Sequence, residues 1–216
     1  MRIVFILSCI ALLQCGFLPN PTIAEVQRDP SSIVRESVDR VLAEITEHKE
    51  NNGERVTEQM VRSLIEILDP VIDFQSFARS VMGKHGKKAS ALQQEKFARI
   101  FTESLVEYYL ESLITFEIKE VVVFEQKPDF DPDSGRASVQ VQATDGDGKN
   151  YEVRYTMRTN SRGEWKVRNF LIEGINVGLT FLNQFDGAMA RHNNNIDMVI
   201  ASWSDEIVQS KEKLQT

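Results

Sequence analysis

Hydrophobic positions in this chain recur at helical spacing over the first half, alternate through the middle, and return to helical spacing at the end. Val34, Val38, Val41, Leu42 and Ile45 share one face, which predicts a helix capped by Ser31 or Ser32 and running to about Glu50. Asn51-Asn52-Gly53 stops it. Thr57 caps a second helix with a stripe of Met60, Val61, Leu64, Ile65 and Leu68. Asp69-Pro70 ends it, because proline disfavours helix in the residue before it. Asp73 caps a short third helix, Phe74 to Met82, with Gly83 as its stop. Ser90 and Gln93 form a capping box that opens the longest helix, to about Leu113, with Phe97, Ile100, Phe101, Leu105 and Tyr108 inward.

From Phe116 the period is two. Phe116, Ile118, Val122 and Phe124 fall on one face, and Val121 and Val123 on the other suggest that it too is partly covered. After a turn over Lys127–Gly135, two alternating strands flank the hairpin turn Asp145-Gly146-Asp147-Gly148. Trp165 opens a fourth strand, which breaks at Glu173–Gly174 and resumes as helix with Asn176 as cap. Asn193–Asn195 separates that helix from a last one, from Ile196 to about Ser210. Short turns between consecutive strands mean an antiparallel meander. The fold class expected is α+β: a four-stranded meander sheet with helices packed on one face, enclosing an apolar cavity or a filled core.

Composition narrows the setting. The 216 residues suit one domain, and 42% hydrophobic with 26% charged residues is ordinary for a globular chain. A net charge of −7 gives no general attraction to nucleic acid. The start reads as a signal peptide: Arg2, an apolar run from Ile3 to Leu13, and Thr22-Ile23-Ala24 before a cut placed after Ala24. Residues 25–216 are then the single mature domain, expected to be exported and soluble. Leu12-Leu13-Gln14-Cys15 faintly suggests a lipidation site, but Gln14 is bulky where a small residue is wanted, so plain cleavage is the favoured reading. Both cysteines, Cys9 and Cys15, precede the cut, which excludes a disulfide framework and Cys-based chemistry in the mature chain.

Candidate chemistry is sparse. His48, His85 and His192 have no metal-ligand spacing and read as surface residues. The chain has no Gly-x-Ser-x-Gly elbow, no phosphate-cradling glycine loop and no His-Glu-x-x-His. The acids of Asp129–Ser134 lack the glycine and glutamate of a calcium loop and read as a turn. Glu173, between an apolar run and Gly174, is either a tuned catalytic acid or a carboxylate receiving backbone N–H groups; the second reading is favoured. Lys84-His-Gly-Lys-Lys88 is the most basic stretch, suited to a phosphate or an acidic partner as well as to plain solvation.

Several segments together carry a resemblance. Leu68-Asp-Pro-Val-Ile-Asp-Phe74, Phe77-Ala-Arg-Ser-Val-Met-Gly83, the stretch Gly83–Ser90, Gln93–Phe97, Phe101, Trp165-Lys-Val, Ile172-Glu-Gly-Ile175 and Asn183-Gln-Phe185 resemble, in order and spacing, the MlaC family of periplasmic phospholipid-binding proteins, also called toluene-tolerance auxiliary proteins. Gly86, Arg168-Asn169 and Asn176 depart from the family's common residues.

The resemblance implies a periplasmic, non-enzymatic carrier without a cofactor, its cargo phospholipid. It would move lipid between an inner-membrane MCE-domain transporter complex and an outer-membrane lipoprotein–porin complex, maintaining outer-membrane asymmetry. The acyl tails would fill an apolar pocket between sheet and helices. Its wall is expected to be Phe74, Phe77, Val81, Phe101, Leu105, Tyr108, Val122, Phe124, Val139, Val141, Val153, Tyr155, Leu171, Ile175, Phe181 and Phe185. Lys84, Lys87, Lys88, Arg154 and Arg168 are expected to meet a headgroup phosphate or a partner. A surface-acting adaptor with a filled core and a small enzyme using Glu173 are the alternatives.

Overall fold

The structure is a computed structural model that describes residues 29–115, 117–125 and 131–214. The expected signal peptide, both cysteines, Phe116 and the first two residues of the Asp129–Ser134 turn lie outside the described residues.

Among the described residues are six α-helices and five strands, one strand more than the four expected; the helices and the first four strands follow the expected order. Helix α1 (Pro30–Asn52) is capped by Asp29, whose carboxylate accepts from the Ser32 amide, and not by Ser31 or Ser32. Pro30 fixes that start, since proline suits the first helical position. Thr57 caps α2 (Glu58–Leu68) and Asp73 caps α3 (Phe74–Gly86). Helix α3 continues one turn beyond the expected stop, across a kink at Gly83, where φ 52° and ψ −127° leave the helical region. Ser90 and Gln93 close their capping box reciprocally ahead of α4 (Ala91–Thr115). Asn195 caps α6 (Ile196–Leu214), accepting from Asp197 and Met198.

The sheet is an antiparallel meander, β1 (Glu120–Val123), β2 (Arg136–Thr144), β3 (Asn150–Thr159), β4 (Trp165–Ile172) and a two-residue β5 (Ile175–Asn176) that the sequence pattern does not announce. Each side of the sheet has backbone groups engaged from outside it, which blunts an open edge. Beside β4, Val167 N–H donates to Val71 and the Asp73 N–H donates to Val167. At β1, the Arg35 guanidinium of α1 donates to the Val123 carbonyl, 3.0 Å.

A β-bulge decides how β4 is used. Thr156 of β3 faces Asn169 and Met157 faces Val167, so Arg168 is an extra residue. Trp165 and Val167 therefore point inward before the bulge, and Phe170 after it. Two cores result. A small one under α1 gathers Val34, Val123, Val139, Met157, Trp165 and Val167. The larger one lies among the helices and centres on Phe97, which meets Phe185 and Trp203 edge-on at 4.8 and 5.1 Å between ring centroids. Phe77 and Phe101 extend it, 5.3 Å apart and T-shaped.

Candidate functional site

Between these cores the helices stand off the sheet and leave a cavity of about 590 Å³. Ligand pockets commonly span roughly 300–1,000 Å³. Its wall draws on α1 (Val38, Val41, Leu42), α2 (Leu64, Leu68), α4 (Leu105, Tyr108, Tyr109, Leu113), the inner sheet face (Val121, Val141, Ala143, Val153, Tyr155, Phe170, Ile172) and α5 (Val177, Phe181). The wall is predominantly apolar, and among the described residues its one charged member is Glu173, at the rim. Ile175 lines the cavity while 63% exposed, which places the opening beside the β4–β5 turn.

Helix α5 (Val177–Arg191) is fastened to the sheet at the bulge. The Asn169 amide donates to Asn176 Oδ1, 2.9 Å, and its oxygen accepts from the Gly178 N–H, 2.9 Å. Asn176 Oδ1 also accepts from Leu179 N–H and so caps the helix. The approach leaves no space for a side chain at residue 178: a Cβ there would lie 2.7 Å from Asn169 Oδ1 and 3.2 Å from the Phe77 ring.

Of the sixteen residues expected on the wall, Phe74, Leu105, Tyr108, Val141, Val153, Tyr155, Ile175 and Phe181 line the cavity. The other eight lie elsewhere, each for a physical reason. Phe77, Val81, Phe101 and Phe185 are packed solidly in the helical core, no more than 1% exposed. Val139 is in the small core under α1. Val122 and Phe124, 40% and 41% exposed, are on the solvent side of β1, with Val121 and Val123 turned inward instead. Leu171 is displaced to the other face by the Arg168 bulge.

None of the five expected headgroup or partner cations lines the cavity. Lys84 binds Asp186 at 2.8 Å and Arg154 binds Glu152 at 2.9 Å. Arg168 is paired with Asp73. Lys87 and Lys88 are exposed at the end of α3. The histidines are less exposed than expected. His48 is buried and its Nε2 meets the Arg55 carbonyl at 2.9 Å. The side chain of His85 is largely covered and its Nε2 lies 2.7 Å from Asp186. His192 lies between the Ser202 hydroxyl and Glu206.

Glu173 has a left-handed backbone, φ 49°, followed by Gly174 at φ 78°, as a tight hairpin turn requires. Its carboxylate accepts from the backbone N–H of Glu152, and its own N–H donates to the Glu152 carbonyl, 2.9 Å. The residue joins strands at the rim. Among the described residues no group of three His, Cys, Asp or Glu is placed to hold a metal ion, and no helix is long and apolar enough to cross a membrane.

Sequence reasoning missed the contributions of α1 and α2. Val38, Val41, Leu42, Leu64 and Leu68 were legible as helix stripes, and the signal that could have assigned them is how little else those stripes had to cover. Tyr109 and Phe170 were also missed. Tyr109 follows Tyr108 directly, but both border the cavity because the helix runs along it.

The family profile described as MlaC protein matches residues 35–205. The toluene tolerance protein ttg2D of Pseudomonas putida is 32% identical over 208 residues, 94% of each chain. The phospholipid-binding protein from Ralstonia solanacearum, solved in complex with a phospholipid at 1.53 Å, superposes with a TM-score of 0.73 at 21% identity, covering 84% of this chain and 98% of that one. At that identity the likeness establishes the fold. The profile match and the 32% relative establish more: the chain belongs to the MlaC protein family.

Proposed function

We propose that this chain is a periplasmic phospholipid carrier, exported by a signal peptide cut after about Ala24, with the remainder as a single lipid-binding domain. The observation that carries the reading is the apolar cavity itself, about 590 Å³ between sheet and helices. Each buried methylene gains about 0.8 kcal/mol, so acyl chains favour an enclosed apolar space over water. The wall carries no basic side chain among the described residues, so the tails lie inside and a phosphate stays at or beyond the rim. Proteins of this chain's family and fold bear names that fit: a toluene tolerance protein and a phospholipid-binding protein.

In this reading the cargo passes between an inner-membrane MCE-domain transporter complex and an outer-membrane lipoprotein–porin complex, and so maintains outer-membrane lipid asymmetry. The cations expected to meet a headgroup are off the wall; Lys87 and Lys88, exposed and close together, remain the suited pair for partner docking. The adaptor reading needs a filled core, against which the cavity argues. Catalysis by Glu173 has no specific observation in its favour, since its carboxylate is engaged at the turn.

The test is native mass spectrometry with lipid extraction on the purified mature chain. Bound phospholipid is expected, and Ala143→Trp, which fills the cavity from the β2 wall, is expected to lower occupancy at least tenfold with the circular dichroism spectrum unchanged. A folded wild-type chain that neither carries nor takes up phospholipid overturns the proposal.

A further inference from the structure

The cavity wall is nearly all hydrocarbon, yet it includes two tyrosines whose hydroxyl groups have no acceptor among the described residues. Tyr109 of α4 and Tyr155 of β3 both line the cavity and both pack against Phe170, with ring centroids 5.6 and 6.2 Å from its ring. Neither hydroxyl has a hydrogen-bond partner among the described residues, and neither is sealed away as the indole N–H of Trp203 is. The surface left to them is the cavity. Tyr151, also on the wall, differs: its hydroxyl donates to Asp145 at 2.8 Å.

Burial pushes both hydroxyls above the usual tyrosine range, so near neutral pH each stays a protonated donor. A donor facing apolar surroundings is unfavourable unless something brought into the cavity accepts from it. The acceptor has to be neutral. Among the described residues no Lys, Arg or His lines the cavity to draw an anion inward, and Glu173 at the rim repels one. On a phospholipid the neutral acceptors attached to the acyl chains are the ester carbonyls.

We propose that Tyr109 and Tyr155 donate hydrogen bonds to the ester carbonyls of a bound diacyl lipid, so that the cavity selects acyl esters over ether-linked lipids. The inference rests on the carrier reading and adds a substrate class to it. Diether lipids have the same tails and headgroup but lack the carbonyl oxygens, so they isolate this contact from burial of the chains.

The experiment loads delipidated wild-type protein from an equal mixture of diacyl and dialkyl phosphatidylcholine of matched chain length, with the bound ratio read by native mass spectrometry. The diacyl lipid is expected to be favoured roughly tenfold, the product of two ordinary hydrogen bonds. In the Tyr109→Phe/Tyr155→Phe double variant the ratio is expected to fall close to one, through weaker binding of the diacyl lipid. Should the double variant not fold, each single variant is expected to lose about threefold of the preference. Equal binding by the wild type, or an undiminished preference in the variants, overturns this proposal and leaves the carrier reading standing. Failure to bind either lipid overturns both.

Discussion

Arg168, the extra residue of the β4 bulge, is paired with Asp73, the residue that caps α3. The contact ties the point where the sheet changes phase to the helix that enters the aromatic core. Asp73 has two roles, since its other oxygen accepts from the Ser76 amide at 2.8 Å. About a quarter of each side chain is exposed, so solvent weakens the pair without removing it. Arg168→Met is expected to cost about 1 kcal/mol. Asp73→Ala, which loses pair and cap together, is expected to cost about 2 kcal/mol. Urea midpoints measure both, and equal losses for the two variants would show that the cap contributes nothing.

Phe101 belongs to the packed core and not to the cavity wall, which changes what its substitution reports. It is fully buried against Phe77, Phe97, Phe181 and Trp203. Phe101→Ala is expected to cost about 3–5 kcal/mol, as large-to-small changes in aromatic cores do. Phe101→Asp is expected to abolish folding along with any lipid retention. Thermal melts followed by circular dichroism separate this from a selective loss of cargo; a Phe101→Asp protein with an unchanged melt would refute the placement.

Acid sensitivity is expected at Asp186. Hydrogen bonds from Lys84 and then His85 hold its carboxyl below the usual carboxylate range. Its folded-state value is therefore lower than its unfolded one. The stabilisation is fully present above the unfolded value, about pH 4, and is lost as pH falls through the folded value. The stability gap between wild type and Asp186→Asn is thus expected to be constant near neutral pH and to close below about pH 4. Denaturant midpoints taken across that range check it. A gap that stays constant down to pH 2 would exclude the assignment.

The order of elements was legible because amphipathic stripes and caps are local: Thr57, Asp73, Ser90 with Gln93, and Asn176 all cap where the pattern puts them. The faces of strands were less so. In Val121-Val122-Val123-Phe124 every residue is apolar, so alternation cannot say which pair turns inward, and a one-residue change of phase inverts the answer. In β4 the pattern was clear up to Val167, but a bulge leaves no polar or apolar signature of its own, and Leu171 was carried to the wrong side. The Phe stripes of α3, α4 and α5 announced burial correctly. Whether a buried ring meets other rings or empty space depends on distances between helices that are far apart in sequence. Helix α3 ran on through Lys84 and His85 because Asp186, a residue 101 positions from His85, holds that turn.

The separation of the aromatic core from the cavity has a consequence for turnover. Phe97, Phe101, Phe185 and Trp203 pack on one another and do not line the cavity, while Phe74, Phe170 and Phe181 belong to the same core and border the cavity as well. Most of the aromatic packing energy therefore does not depend on occupancy. In the carrier reading, an emptied molecule is expected to keep its architecture, so that exchange of contents is decoupled from the stability of the container.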